Sequence, residues 1–256
     1  VKAKNFIVAT GSRPIEIPGF AYDESVVMSS TGALALDEVP KSLVIVGGGY
    51  IGLEIGSYLA KLGTQVDILE AGDALLKGVV EKDVAQVVAR KLKKDGINVH
   101  LKALAQSYKK SGKSVAVTAK VGDSEKTFKA EKILVTVGRK PNSDQLGIKE
   151  IGLELDEKGF VKTDAQRRTN HPHIYAIGDI TCQPMLAHKA SHEGVMVAEI
   201  ISGKNRVYDA KTVPAVMFTD PEIASAGLLE SEAKERGYTD LKISKFPFAA
   251  MVRLYR

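Results

Sequence analysis

The chain of 256 residues is long enough for one large domain or about two of ordinary size. Its hydrophobic content of 44% and charged content of 26% are typical of a soluble globular protein. The formal net charge of +5 is spread along the sequence, with basic pairs interrupted by acidic or apolar residues. Without a basic stripe or an aromatic stacking motif, this charge indicates a solvated surface rather than a nucleic-acid partner. No apolar run approaches the ~20 residues that cross a membrane, so we expect no membrane association.

A single cysteine, Cys182, excludes an internal disulfide framework and favours a reducing compartment. We therefore expect a cytoplasmic protein, or one of the mitochondrial matrix in a eukaryote. The sequence shows no signal peptide, but Val1 is not an initiator methionine, and we expect an N-terminal segment to be missing.

Two segments of the chain share one pattern. Residues 3–14 read AKNFIVATGSRP, and residues 130–141 read AEKILVTVGRKP. Each predicts a buried strand that leads into a turn of glycine, a basic residue and proline. The second copy closes a nucleotide-binding unit, so we expect the first to close an earlier unit of the same kind that this chain lacks. A chance match of two short apolar strands is the alternative.

Residues 15–40 read as a connector rich in Pro, Gly and Ser. A helical turn is expected near residues 30–36, with Ser29 or Ser30 as its N-cap.

The stretch from Leu43 to Glu70 carries the strongest functional pattern. An apolar run to Val46 predicts a buried parallel strand, and the glycines that follow have the G-x-G-x-x-G spacing of a dinucleotide-binding turn. A helix is predicted to about Leu62 and a second strand over Val66 to Leu69. The glycines of the turn are Gly47, Gly49 and Gly52, and the residues expected on the inner face of the helix are Ile51, Ile55, Tyr58, Leu59 and Leu62.

Glu70 stands 18 residues after the last glycine, where such folds place the acid that binds a ribose diol. A carboxylate repels a ribose 2′-phosphate, and the next basic residue, Lys77, is several positions further on. The pattern therefore favours NAD over NADP, and a dinucleotide site over a merely structural glycine turn.

The following segments complete this unit. Residues 81–95 predict an amphipathic helix, residues 97–101 a third strand, and residues 115–130 an antiparallel excursion with a hairpin at Gly122-Asp123. A closing strand is predicted at Ile133. The apolar side of the helix is expected to carry Val84, Val87, Val88 and Leu92.

A second compact signal follows a strand predicted over residues 174–177. Gly178 and Asp179 come next, then a helix over about residues 186–202. An acid at a strand end beside a helix suits a hydroxyl-bearing ligand, although a capping Asp is the commoner explanation of this pattern. A further strand is predicted over residues 213–218. The inner stripe of the helix is expected to be Ala190, Gly194, Val197, Ala198 and Ile201.

The motifs ATGSRP, SSTGALAL, GGGYIGLE, VGRKPN, YAIGD, MLAHKASHEG and FTDPEIASAG together resemble the FAD-dependent pyridine nucleotide–disulfide oxidoreductases. MLAHKA, HEG and Glu70 resemble the dihydrolipoamide dehydrogenase branch of that family. The resemblance implies an α/β fold of tandem Rossmann-like FAD and NAD(P) domains, the first truncated, plus the start of an α+β dimerisation domain. The implied division is 1–24 as a piece of the FAD domain, 25–140 as the NAD domain, 141–213 as the returning FAD segment, and 214–256 as an incomplete interface domain.

The resemblance also implies the residues of two cofactor sites. Those for NAD would be Gly47, Gly49, Tyr50, Ile51, Gly52, Glu54, Glu70 and Gly138. Those for FAD would be Thr10, Gly11, Arg139, Asp179, Met185, Leu186, Ala187 and His188. Tyr50 would sit between flavin and nicotinamide, with Glu54 near the flavin.

The implied activity is oxidation of protein-bound dihydrolipoamide, with electrons passing through a cysteine pair and FAD to NAD. The implied partners are the lipoyl proteins of 2-oxo acid dehydrogenase or glycine cleavage complexes and a second copy of the enzyme. The alternatives are another FAD/NAD(P) disulfide reductase or transhydrogenase, or an NAD-binding module without chemistry.

The sequence departs from the family in several places. The redox cysteine pair and the His–Glu acid–base dyad are not among these residues, so no catalytic residue is predicted, and we expect the chain alone to be inactive. Cys182 matches neither family cysteine, and the ending MVRLYR departs from the family pattern. His188 and His192, four residues apart, could ligate a metal, but without a further ligand we predict no metal site. His171 and His173 are interpreted as loop residues.

Overall fold

The structure, a computed structural model, describes residues 2–144 and 147–247, so the ending MVRLYR lies outside it. In chain order the strands are β1 (Phe6–Val8), β2 (Ser12–Pro14), β3 (Val27–Met28), β4 (Ser42–Val46), β5 (Gln65–Glu70), β6 (Asn98–Leu101), β7 (Ala103–Ser111), β8 (Ser114–Val121), β9 (Ser124–Ala130), β10 (Lys132–Val135), β11 (Arg139–Pro141), β12 (Ile174–Ala176), β13 (Ala215–Met217) and β14 (Ile223–Ser225). The α-helices are α1 (Ser30–Leu34), α2 (Tyr50–Lys61), α3 (Lys82–Lys94), α4 (Ala187–Ile201) and α5 (Glu230–Glu235). Within the described residues, none of these helices is long and apolar enough to cross a bilayer.

A five-stranded parallel sheet in the order β3-β10-β4-β5-β6 forms the centre of the molecule. Strand β4 is buried on both faces, as its apolar run predicts. Leu43 and Ile45 pack on the side of α2 and α3, whereas Val44 and Val46 pack on the opposite side. Both clusters gain their stability from apolar burial, at about 1.5–3 kcal/mol for each fully buried Leu, Ile or Val side chain.

Helix α2 begins and ends close to the predicted positions, but its inner face is different. The buried residues are Gly52, Leu53, Ile55, Gly56 and Leu59. Tyr58 and Leu62 are 37% and 61% exposed, so assigning them to the core was wrong. The two glycines let the helix approach the sheet closely, because a Cβ at Gly56 would lie 2.7 Å from Ile45 Cδ1. This close approach rotates the buried face toward the glycine side.

The antiparallel excursion predicted over residues 115–130 is confirmed as the hairpin of β8 and β9. Strand β7, which was not predicted, adds a third strand, and this sheet covers the face of the parallel sheet opposite α2. Its alternating residues Val115, Val117 and Ala119 are buried. In α3, Val88 and Leu92 are buried as predicted, but Val84 and Val87 are 38% and 44% exposed. The other buried residue of that helix is Ala85, so its apolar stripe is narrower than the valine pattern indicates.

The two copies of the repeated pattern lie side by side. Their glycine–basic–proline turns form β2 and β11, which pair antiparallel with Arg13 opposite Lys140. The preceding strands β1 and β10 belong to different sheets, since β1 pairs in parallel with β12. The prediction that both strands are buried holds for β10 only. Phe6 and Ile7 of β1 are 38% and 44% exposed, because among the described residues β12 is the single strand beside β1.

Helix α4 also presents a different face from the predicted one. Its buried residues are Lys189, Glu193, Met196, Val197 and Ile200. Of the predicted stripe only Val197 is buried, while Ala198 and Ile201 are exposed. The helix is therefore turned by about one residue, because two of its charged side chains have buried partners on other elements.

Two shorter predictions are confirmed. The turn of the connector is α1, and Ser29 is its N-cap, with the hydroxyl accepting from Thr31 N at 3.0 Å. The strand expected over residues 213–218 is β13, which pairs antiparallel with β14. This hairpin lies against α2, where Glu54 Oε1 accepts from Phe218 N at 2.7 Å.

Candidate nucleotide-binding site

A cleft of about 480 Å³ opens at the carboxyl ends of β4, β5 and β10. The chain crosses from β4 to β5 through α2 on one side, while β10 lies on the other side of β4. Ligands of open α/β sheets bind at this kind of topological switch point. The cleft is lined on all sides, and eight of its lining residues were predicted as site residues. They are Gly47, Gly49, Tyr50, Ile51, Glu70, Gly138, Arg139 and Met185.

The glycine turn between β4 and α2 has a separate steric reason at each position. Gly47 adopts φ +111°, and a Cβ there would lie 2.7 Å from Thr136 O. At Gly52 a Cβ would lie 2.6 Å from Thr136 Oγ1. At Gly49 the nearest atom is 4.0 Å away, so the backbone there is open to a ligand. The first and third glycines thus shape the turn, and the second leaves room in the cleft.

The N-terminus of α2 faces this open space. Gly49 is its N-cap and provides no side-chain hydrogen bond, and the first helical bond runs from Leu53 N to Gly49 O at 3.1 Å. The earlier N–H groups of the first turn have no intrahelical acceptor. Free N–H groups and the positive end of the helix dipole attract an anion. The local geometry fits the pyrophosphate of a dinucleotide.

Glu70 ends β5 with both carboxylate oxygens engaged by backbone. Oε2 accepts from Gly48 N and Oε1 accepts from Gly72 N, each at 2.6 Å. A Cβ at Gly48 would lie 2.9 Å from Glu70 Oε2, so a glycine is needed for this contact. Sequence reasoning placed Glu70 at the cleft but missed its role in holding the glycine turn. Each carboxylate oxygen can accept a second hydrogen bond, so ribose hydroxyls still have acceptors.

Lys77 also lines the cleft, but its ammonium group is paired with Asp73, four residues earlier in the chain. Its ammonium donates to Asp73 at 2.8 Å, and that hydrogen bond raises the pKa of Lys77. Asp73 thus competes with any ligand phosphate for this lysine.

Thr136, after β10, is a further cleft residue that sequence reasoning missed, since only the fold brings it against the glycine turn.

Tyr50 is half-buried on the first turn of α2. Burial raises the pKa of its phenol; the charges of Glu54 and Asp179 act in the same direction, while Arg139 opposes them. The phenol therefore stays neutral at physiological pH. These four side chains come from three separate segments. The glycine turn therefore lies next to the segment of Gly178 and Asp179, which the sequence predicts as a second ligand site.

A serine connects these two regions. Arg139 Nε donates to Ser12 Oγ at 2.8 Å, and Ser12 Oγ donates to Asp179 Oδ2 at 2.6 Å. Arg139 Nη2 also donates to Ser12 O at 2.7 Å. Ser12 was not among the predicted site residues. It fixes the carboxylate of Asp179 while leaving Oδ1 without a protein donor among the described residues.

The peptide before Asp179 is held by buried charges of α4. Glu193 accepts from Gly178 N at 2.7 Å, and Lys189 donates to Gly178 O at 3.2 Å. Arg167 donates to Glu193 at 2.8 Å, and Lys189 Nζ lies 3.4 Å from the same carboxylate. Buried charges are tolerated when they are paired in this way. Lys189 and Glu193 were missed because a charged side chain in a helix pattern reads as solvent-facing, and Arg167 because it lies in a loop far from them in the sequence.

The remaining predicted FAD residues lie outside the cleft lining, apart from Met185. Thr10 and Gly11 are pinned by Asn142, whose amide donates to Thr10 O at 2.8 Å and whose backbone N donates to Gly11 O at 2.9 Å. Leu186 is the N-cap of α4, and Ala187 is its first, exposed residue. His188 Nε2 donates to Pro214 O at 2.8 Å, so its ring is turned toward the C-terminal segment.

Two of the predicted NAD residues also face away from the cleft. Gly52 packs under the turn against Thr136, and Glu54 binds Phe218 N of the C-terminal segment. Among the described residues, no group of three His, Cys, Asp or Glu could hold a metal ion. His192 does not join His188 but lies with its ring 5.7 Å from that of Tyr208.

The chain matches known families and proteins along most of its length. The model of the pyridine nucleotide-disulphide oxidoreductase family matches residues 1–194, and that of the family's dimerisation domain matches residues 213–255. The chain is 52% identical to the dihydrolipoyl dehydrogenase of Bacillus subtilis, over 96% of this chain and 52% of that protein. It is 44% identical to that of Haloferax volcanii, over 99% of this chain and 53% of the relative. The chain thus spans about half the length of the curated relatives it matches.

Two solved structures have the same fold at lower identity. LpdA from Mycobacterium tuberculosis superposes with a TM-score of 0.80 at 29% identity, covering 91% of this chain and 50% of its own. The HOCl-induced flavoprotein disulfide reductase RclA from Escherichia coli gives a TM-score of 0.83 at 28% identity, covering 97% of this chain and 57% of its own.

Proposed function

The chain belongs to the pyridine nucleotide-disulphide oxidoreductase family, and from that premise we propose that the whole protein oxidises protein-bound dihydrolipoamide with NAD as electron acceptor. The relatives that share 44% to 52% of its residues are dihydrolipoyl dehydrogenases. RclA, at 28% identity, is more distant, which favours the dihydrolipoamide substrate over that of another disulfide reductase. The bound flavin supplies the chemistry of electron transfer between the substrate's thiols and NAD.

The observation that carries the proposal is the open glycine turn at the head of α2, with Glu70 at its side. We assign the pyrophosphate of NAD to the N–H groups after Gly49, with Gly47 and Gly52 shaping the turn. Glu70 accepts the ribose hydroxyls and repels a 2′-phosphate. Tyr50 and Ile51 line the cleft next to that site, and Gly138 closes it from the end of β10.

We assign the flavin to the segment that begins at Gly178. Asp179, fixed by Ser12, would accept a hydroxyl of the flavin side chain through Oδ1. The backbone from Met185 to His188 would contact the ring, with Thr10, Gly11 and Arg139 at neighbouring strand ends. Glu54 holds the C-terminal segment in this structure, so its assigned place near the flavin rests on the family resemblance alone.

The pairing of β1 with β12 supports the proposed domain division, because it joins the first segment to the third. Residues 1–24 and 141–213 would together belong to the FAD domain, residues 25–140 would form the NAD domain, and residues 214–256 would belong to the interface domain. Since that last segment matches a dimerisation domain, we propose a homodimer. We further propose lipoyl proteins as partners, and the cytoplasm, or the mitochondrial matrix of a eukaryote, as the location.

Nucleotide titration of the 256-residue chain tests the cofactor assignment. We expect NADH to bind more tightly than NADPH, as measured by quenching of nucleotide fluorescence. Glu70→Ala should weaken NADH binding by about tenfold or more, since a hydrogen bond to a charged group contributes about 1.5–3 kcal/mol. It should also narrow the gap to NADPH, because the repulsion of the 2′-phosphate is lost.

Glu157→Gln is the matched control, because this exposed acid does not line the cleft. It should leave both affinities unchanged. Equal binding of NADH and NADPH by the unmutated chain would refute the role of Glu70.

The substrate is tested separately, by assaying the protein in which these residues occur for NADH formation from dihydrolipoamide. Turnover with NADP but not NAD would contradict the proposed acceptor.

A further inference from the structure

The positive charge of this chain is concentrated on one small sheet. Residues 102–130, which comprise Lys102 and strands β7 to β9, contain seven lysines, one aspartate and one glutamate. Their net charge of +5 equals that of the entire chain, so the remaining residues are balanced. All seven lysines are exposed. In the sequence these lysines are spread over residues 102–129 among other residue types, and the fold brings them onto one sheet.

The strand register shows how the outer face of this sheet is arranged. Since Val115, Val117 and Ala119 are buried, the alternate residues of β8 face outward. The outward residues form three rows across the strands: Lys109–Ala116–Lys129, Ser107–Thr118–Thr127 and Leu104–Lys120–Glu125. Successive rows are roughly 7 Å apart, and Lys109 and Lys129, two strands apart, are separated by roughly 10 Å. We call these three rows the lysine face. It carries Lys109, Lys120, Lys129 and Glu125, a net charge of +2, and the other four lysines lie on the inward rows or outside the strands.

Several lysines elsewhere in the molecule are paired with acids, whereas those of this sheet are not. Lys61, Lys77, Lys91, Lys204 and Lys234 each have a carboxylate oxygen within 2.9 Å or less. Within the described part of the chain, no lysine of residues 102–130 has a carboxylate within the 4.0 Å of a salt bridge, not even Lys120, which lies opposite Glu125. Their ammonium groups are therefore available to the carboxylates of an acidic partner.

The chemistry of the lysine face favours a protein over nucleic acid or lipid. It has no arginine, and the aromatic residues of the sheet, Tyr108 and Phe128, pack toward the core, so bases have no stacking platform. Leu104 is its single large apolar side chain, which is little anchorage for a membrane. The middle row, Ser107, Thr118 and Thr127, offers hydroxyl hydrogen-bond donors between the two rows that contain lysine. Carboxylates held at fixed positions on a folded domain could accept from these hydroxyls and pair with the lysines.

We propose that the lysine face is a docking surface for an acidic protein domain. It lies on the nucleotide-binding unit, on the sheet that covers the parallel strands, and it does not depend on the proposed activity. Charge complementarity of this kind mainly accelerates association and selects partners, and salt weakens it.

The test compares two variants of equal charge, with poly-L-glutamate as the acidic probe. The first variant carries Lys109→Gln, Lys120→Gln and Lys129→Gln on the lysine face. The second carries Lys82→Gln, Lys93→Gln and Lys94→Gln on the exposed side of α3, where these lysines have no salt bridge among the described residues. We expect association at low salt to be about tenfold slower for the first variant and nearly unchanged for the second. The thermal midpoints of both variants, measured by circular dichroism, verify folding.

A gain-of-charge variant gives an independent result. Thr118→Lys adds a cation at the centre of the lysine face and should tighten binding of the probe. Equal losses in the two triple variants would overturn the proposal, because net charge alone would then explain binding. Binding of a DNA duplex or of phosphatidylserine vesicles in place of poly-L-glutamate, lost in the first variant, would equally overturn it by assigning the face to a different partner.

Discussion

Ser12 links three segments of the chain through one hydroxyl. It accepts from Arg139 after β10 and donates to Asp179 beside β12. Glu70 has a comparable role, since its two oxygens join Gly48 of the turn to Gly72 beyond β5. Ser12 thus fixes a side chain that a ligand would contact, and Glu70 fixes the backbone of the glycine turn. Both residues preorganise a site, and Glu70 in addition is assigned a direct ligand contact.

Replacing Ser12 tests whether this link contributes to stability. Ser12→Ala should lower the free energy of unfolding by about 1.5–3 kcal/mol, because the hydroxyl bonds to two charged groups, and Ser12→Thr should restore most of it. Urea unfolding of Ser12→Ala, Asp179→Ala and the double variant gives their coupling energy. Coupled residues in contact show about 0.5–3 kcal/mol, so strictly additive effects would contradict the link.

At the scale of elements, the connector is attached to the parallel sheet by a tyrosine. Tyr22 Oη donates to Ile15 O at 2.7 Å and approaches Val135 O of β10 at 3.4 Å. Burial raises the pKa of Tyr22 to about 12, and the charges of Glu16 and Glu24 add to this effect. The neutral phenol is therefore the form that the folded state retains. Its contribution depends on pH only in the alkaline range.

This arrangement predicts an alkaline loss of stability with a definite sign. The folded pKa of Tyr22 lies above the ordinary value of 10.0, so its contribution is complete below pH 10 and is lost as the pH rises toward 12. Near neutral pH, Tyr22→Phe should be less stable by about 0.5–1.5 kcal/mol, because Ile15 O loses its donor.

Urea midpoints of both proteins across this range provide the measurement. The difference in stability between the unmutated protein and Tyr22→Phe should shrink above about pH 10. The titration of lysines and other tyrosines affects both proteins alike. A difference that stays constant up to about pH 11.5 would show that the Tyr22 phenol is not protected by the fold.

On the scale of the whole molecule, polar contacts connect the C-terminal segment to the nucleotide-binding unit. Asp220 accepts from Lys61 of α2 at 2.9 Å and lies 3.3 Å from Lys91 of α3. Glu54 accepts from Phe218 N, and Glu81 accepts from Glu230 N at 2.6 Å. Met217 and Ile223 add apolar contact with the helix side of the sheet. Exposed ion pairs of this kind are screened by salt.

Salt and acid should therefore loosen this attachment. The hydrogen bonds from Lys61 and then Lys91 hold the pKa of Asp220 below its ordinary value, so its contribution is present above about pH 4 and is lost on further acidification. Asp220→Asn should accelerate hydrogen exchange in residues 213–227 severalfold, and about 1 M NaCl should do the same for the unmutated chain. Asp240→Asn, on the same segment but without a described partner, should have no effect. Equal exchange in all three proteins would assign the attachment to the apolar contacts alone.

The sequence by itself determined the nucleotide-binding unit. The apolar run of β4, the glycine spacing, the helix α2 and the acid at Glu70 are local signals, and each follows from backbone sterics or from the periodicity of one element. The hairpin at Gly122 and the cap at Ser29 belong to the same class. The approximate bounds of these elements and the presence of a dinucleotide site could therefore be predicted without the structure.

Only the tertiary structure decided which side chains face inward and which partners they find. Lys189 and Glu193 are buried because Arg167 and the Gly178 peptide satisfy them, and that pairing cannot be read from the helix pattern. Leu62 is exposed despite its hydrophobicity, because the close approach of α2 at its glycines turns another face to the sheet. The bridge at Ser12 and the lysine face likewise join residues that are distant along the chain. Their positions follow from long-range packing and charge, which a periodic pattern does not encode.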